Sequence, residues 1–153
     1  MCFRIRFILV MFIAIVSLSL ACEVDTKVSI DGRNPPTFTF DGTGYLSFFT
    51  VEEIAPENQN VPDVEQDRAK NRTVWSIWPS QPLKTPMKKT APITYGQVPT
   101  GFYQKIPQDG QPPTLTEGRV YEAGGPAASA NGGYVRFVVR DGKTVELPTP
   151  TRR

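Results

Sequence analysis

The chain has 153 residues, with 17 Lys and Arg against 15 Asp and Glu, two cysteines and no histidine. This length suits one domain with a real core, and the near balance of charge argues against nucleic acid, whose binding needs a basic face. Without histidine there is no Ser-His-Asp or Cys-His catalysis, and no ordinary zinc site.

In chain order, Arg4 and Arg6 come first and account for the whole basic excess; from Phe7 to Leu20 nothing is more polar than Ser17 and Ser19. An apolar run of this length falls short of the ~20 residues that cross a hydrocarbon core. Behind two arginines it reads as an export signal over residues 1–21, with Ala21 as the small residue at its end. Cleavage there removes Cys2 and leaves Cys22 as the sole cysteine of residues 22–153. An unpaired thiol in an oxidising compartment is a liability unless something consumes it. Leu18-Ser19-Leu20-Ala21-Cys22 resembles the lipobox of bacterial lipoproteins, in which the signal is cut before a cysteine carrying a diacylglyceryl group. The resemblance implies lipidation at Cys22 and a membrane as partner. Glu23 stands where aspartate would favour the inner membrane, so the resemblance further implies the outer membrane, on its periplasmic or surface face. Ordinary secretion with a free thiol, or an uncleaved anchor, are the alternatives.

All 15 prolines and 12 glycines follow Cys22, a composition of strands and turns rather than helices. Asp-Gly occurs at Asp31, Asp41, Asp109 and Asp141, and this dipeptide suits turns because glycine accepts positive φ at little cost. Strands are predicted over 24–30, 37–40, 45–53, 73–78, 93–98, 102–106, 119–123, 133–140 and 144–147. Alternation puts Val135, Phe137 and Val139 inward with Arg136 and Arg140 outward, and sends Trp75 and Ile77 to one face with Ser76 and Trp78 on the other. Short strands separated by turn signals predict an all-β domain, a β-sandwich over residues 22–153.

Two segments interrupt this rhythm. Residues 55–71 read as a long polar loop, with one helical turn near 64–70. Residues 79–92, with four prolines besides Lys84, Lys88 and Lys89, read as an extended surface connection. Residues 148–153 form a frayed tail.

Leu115, Gly118 and Tyr121 follow an L-x-x-G-x-x-Y spacing that resembles the one introducing a late strand in fibronectin type III domains. The resemblance implies an immunoglobulin-like or fibronectin-like sandwich in which Leu115 plugs the core, Gly118 turns the chain, Tyr121 packs inward and Trp75 is a core tryptophan. Signal, lipobox, "NPPTFTFDGTGYLSFF" and "ITYGQVPTGFYQ" together resemble small bacterial lipoproteins of unassigned function.

Few residues are arranged for chemistry. No phosphate-binding or dinucleotide fingerprint is present. Glu52 and Glu53 are adjacent and so face opposite sides of a strand. Asp63, Glu65 and Asp67 form an acidic ladder of a kind that can hold calcium, but the loop lacks a turn glycine and ends in Arg68, Lys70 and Arg72, so a solvated loop is expected and no metal site. Ser76 and Ser129 have no visible base. Trp78, Tyr95 and Tyr103 are the candidate ligand-binding residues, with core or edge packing as their competing role and cover from the proline-rich connection expected for Trp78. The expectation is a membrane-anchored, non-catalytic structural or interaction module of the cell envelope, with no cofactor. An envelope protein or a glycan is its expected partner, and the alternative is an adhesin-like carbohydrate- or protein-binding module using exposed aromatics.

Overall fold

The computed structural model describes residues 26–61, 67–81, 86–128 and 130–148; Cys22 with the whole export segment, Asp63, Glu65, Lys84 and Ser129 lie outside them. The described residues form ten strands: β1 (Lys27–Ile30), β2 (Thr37–Asp41), β3 (Tyr45–Leu46), β4 (Phe49–Glu53), β5 (Arg72–Pro79), β6 (Ile93–Thr94), β7 (Phe102–Ile106), β8 (Val120–Ala128), β9 (Ala130–Arg140) and β10 (Lys143–Leu147). A three-stranded sheet runs β1-β2-β6, and a seven-stranded sheet runs β10-β9-β8-β4-β5-β7, with β3 also paired to β8.

Alternating apolar residues close the space between the sheets. Phe38 and Phe40 of β2 meet Phe49 of β4 at ring-centroid distances of 4.9 and 5.6 Å, and Phe38 also reaches Phe137 of β9 at 6.0 Å. Trp75 is fully buried and stands edge-on to Phe49 and to Tyr95. These contacts make an all-β, sandwich-like fold whose core is dominated by aromatic rings, each of which buries a large area.

Turns form where their chemistry predicts. Glycines 32, 42, 110 and 142, the second residues of the four Asp-Gly pairs, all have positive φ. At the β9–β10 hairpin Asp141 does too, at 52° beside 70° for Gly142, the combination that matches the twist of paired strands. Leu115 is buried, Gly118 turns the chain at φ 75°, and Tyr121 is buried with its hydroxyl accepting from the Thr116 amide at 2.9 Å.

Several expectations change. The run over 45–53 divides into β3 and β4 around Ser47 and Phe48, and the strand expected over 93–98 stops at Thr94, where Tyr95-Gly96 turns. β8 continues past Ala123 through Gly124-Gly125-Pro126, which reads locally as a turn. It can do so because backbone crowds both glycines: a Cβ at Gly125 would sit 1.9 Å from the Phe48 carbonyl oxygen, and one at Gly124 2.1 Å from that of Gly133. Pro126, which has no amide to give, coincides with a register shift against β9. The proline-rich connection is not wholly superficial either. Its short 3₁₀ turn Met87–Lys89 buries Met87 completely and leaves Lys88 and Lys89 exposed.

Arg136 departs furthest from its expected place. It lies on the outer face of the large sheet, as alternation requires, yet only 2% of it is exposed, because the segment expected to be a solvated loop lies across it. Asn58 of that segment is buried and pins it, donating to the Asp67 carbonyl and the Asn71 side chain, both at 2.8 Å. Short 3₁₀ turns form at Pro56–Asn58 and Arg68–Lys70, and the Gln59 carbonyl between them faces Arg136 at 3.5 Å.

Candidate functional site

The outer face of the seven-stranded sheet carries two groups of side chains that a local reading separates. The first is a polar row. Strand pairing sets Thr73 of β5 beside Glu52 of β4, Glu52 opposite Glu122 of β8, and Glu122 opposite Arg136 of β9. Arg136 Nε donates to Glu122 Oε2 at 2.9 Å and its Nη1 reaches the Gln59 carbonyl at 3.5 Å. Arg68 closes the row from above, 3.3 Å from Glu122 and 3.9 Å from Glu52, with its guanidinium 5.7 Å from the Tyr134 ring centroid. Burial is the largest influence on Glu52 and pushes its carboxyl above the ordinary range; Arg68 opposes this and Glu122 reinforces it. Glu52 and Glu122 thus form the carboxylate pair that Glu52 and Glu53 cannot. Glu53 instead pairs with Arg72 and, at 3.6 Å, with Arg119. Two guanidinium groups occupy the Glu52–Glu122 pair, so it is built to hold the crossing segment down.

The second group is aromatic. Trp78 near the end of β5 is directly opposite Tyr103 of β7. The Phe48 ring stacks on one side of the indole, 4.8 Å away and inclined by 9°, and Lys105 Nζ stands 4.2 Å from the ring centroid. Lys105 lies two residues after Tyr103 on β7, beside a register shift between β5 and β7. The indole Nε1 donates to Ser76 Oγ at 3.2 Å, which gives the buried Ser76 a structural partner. Among the described residues, Phe48 and Lys105 cover Trp78, where the proline-rich connection was expected. Tyr103 is 48% exposed and presents a ring and a hydroxyl to solvent.

Tyr95 stands apart from this group, in the core. Its hydroxyl donates to the Pro113 carbonyl at 2.7 Å, its ring meets Trp75 at 5.3 Å, and burial pushes its phenol well above the ordinary range. The same end of the molecule has a surface cleft of about 250 Å³ lined by Asn34, Pro35, Gly96, Gln111 and Pro112 together with Tyr95. Asp67, the one described residue of the acidic ladder, has Lys70 Nζ 3.8 Å away.

Phe48 and Lys105 are missed from sequence because each meets Trp78 across strands distant in the chain, and the Glu122–Arg136 pair because Gln59 and Arg68, which contact it, come from a segment far earlier. No family model matches the chain, and no similar curated protein or solved structure was found.

Proposed function

We propose that this protein is a bacterial lipoprotein, acylated on Cys22, whose β-sandwich is a non-catalytic interaction module of the cell envelope, with the outer membrane as its address. The observation that carries the reading is the lipobox-like segment ending at Cys22, five residues before β1 begins at Lys27. An anchor there leaves the ordered strands intact and attached at one end. The locked Glu52–Glu122 pair supports a non-catalytic role. An immunoglobulin-like, fibronectin-like topology fits the pairing: β1, β2 and β6 correspond to strands A, B and E, and β4, β8 and β9 to C, F and G. The Tyr121 hydroxyl bonding back to Thr116 supports the same assignment.

The test is intact mass and membrane fractionation beside a Cys22→Ala variant. The expected wild-type product begins at residue 22, is heavier by acyl groups and sediments with membranes, while the variant is unacylated. A soluble, unmodified wild type would overturn the reading.

A second reading, glycan or protein binding through the aromatics, is favoured by the exposure of Tyr103 beside Trp78. Lys105 occupies an indole face that a sugar would use. Acrylamide quenching is therefore expected to be weak for Trp75 and partial for Trp78, and to rise for Trp78 in Lys105→Ala. A glycan ligand would then protect that variant's indole, and failure to do so across envelope glycans would remove the reading.

A further inference from the structure

We infer that the end of the sandwich carrying Lys27, Lys88, Lys89 and Tyr45 lies against an anionic lipid surface. This inference rests on acylation of Cys22.

Chain length sets the first constraint. Four peptide steps separate Cys22 from Thr26, so at about 3.6 Å per residue the two Cα atoms are no more than about 14 Å apart. Thr26 is fixed to the domain: it is buried, and its hydroxyl donates to the Thr43 carbonyl at 3.1 Å. The end of the molecule around Thr26 must therefore stay near the headgroups.

Cations gather at that end from separate parts of the chain. Lys27 starts β1 and faces Asp41, the last residue of β2. The loop after Asp41 passes Thr43 and Gly44, whose carbonyl accepts from the Met87 amide at 2.9 Å, and Tyr45 bridges to Pro86. Burial of Met87 thereby holds the Met87–Lys89 turn against this end, with Lys88 and Lys89 exposed. Tyr45 is 37% exposed beside them. Three lysines are set against Asp41 there, with Glu23 and Asp25 in the connecting residues. Lysines held within a Debye length of an anionic leaflet are attracted to it, and tyrosine suits the headgroup layer. The opposite end carries both signs: Glu117 accepts from the Asp141 amide at 2.8 Å, exposed Arg140 and Lys143 flank that turn, and Arg33 there is paired with Asp31, so the tether rather than net charge selects which end faces the lipid.

The acylated full-length protein has no free thiol under this reading, so Thr43→Cys and Thr116→Cys each give one labelling site, at the near and far ends respectively. Fluorophores there are compared in vesicles of phosphatidylcholine containing phosphatidylglycerol, with a nitroxide lipid at the headgroup level. The expected result is quenching several-fold stronger at position 43 than at 116, with that excess reduced by about half or more in Lys27→Gln/Lys88→Gln/Lys89→Gln or in high salt. Equal quenching at both positions would overturn the apposition. A near-end excess unchanged by the triple substitution would overturn the electrostatic contact and leave the tether as its cause. Intact mass of the same samples separates these outcomes from failure of the anchor, since an unmodified Cys22 removes the lipoprotein reading and the contact with it.

Discussion

Arg136 and Glu122 are two opposite charges with 2% and 4% exposure, paired at 2.9 Å beneath a polar segment. Desolvating both costs several kcal/mol, and only their mutual attraction and surrounding hydrogen bonds offset it. Arg136→Met alone leaves Glu122 with Arg68 as its remaining partner, a half-exposed side chain, and is expected to cost about 3–5 kcal/mol in urea unfolding. Adding Glu122→Gln is expected to restore much of the loss, because the uncompensated charge goes too; a purely additive double variant would show that the pair is not coupled. Glu52 supplies a pH signature. Its carboxyl is raised, so its contribution favours the folded state below the ordinary value of 4.5 and is lost as pH rises through the folded value. Glu52→Gln is therefore expected to melt no lower than wild type near pH 7 and to lose ground to it near pH 4, and thermal melts at both pH values decide this.

At the scale of the element, β8 is the strand on which the large sheet depends, since it pairs with β9, β4 and β3. Gly124 and Gly125 let the backbones of Gly133 and Phe48 approach it closely. Gly125→Ala would place a methyl group against the Phe48 carbonyl, which is backbone and has no rotamer to change. A loss above about 2 kcal/mol is expected from chemical denaturation, and a loss below about 0.5 would show that the strands can separate there at little cost. In sequence, "AGGP" reads as a turn because glycine and proline usually weaken strands; crowding by neighbouring strands is the context that reverses the reading. The strands at Thr37–Asp41 and Lys143–Leu147 were legible, because alternation and Asp-Gly turns mark both.

Across the whole molecule, the two sheets divide the tasks. Their facing sides hold the aromatic core, while the outer side of the large sheet holds the ionic row and the Phe48–Trp78–Tyr103 group. Thr26, the first described residue, lies at the end bearing Lys27, Lys88 and Lys89, and the Tyr95 cleft lies elsewhere. The all-β class was readable from residue order, since period-two alternation and the positive φ of turn glycines are properties of neighbours along the chain, whereas the buried Trp75 and inward Tyr121 were expected from the resemblance carried by Leu115, Gly118 and Tyr121. The charged row, the Lys105 cap on Trp78 and the buried Met87 were not. Glu52 and Glu122 share a face only because β4 pairs with β8 in one register, and Arg136 is buried only because a segment some seventy residues earlier crosses it. Such neighbours depend on pairing and register across the sheet, which hydrophobic pattern constrains and which no local stretch of sequence specifies.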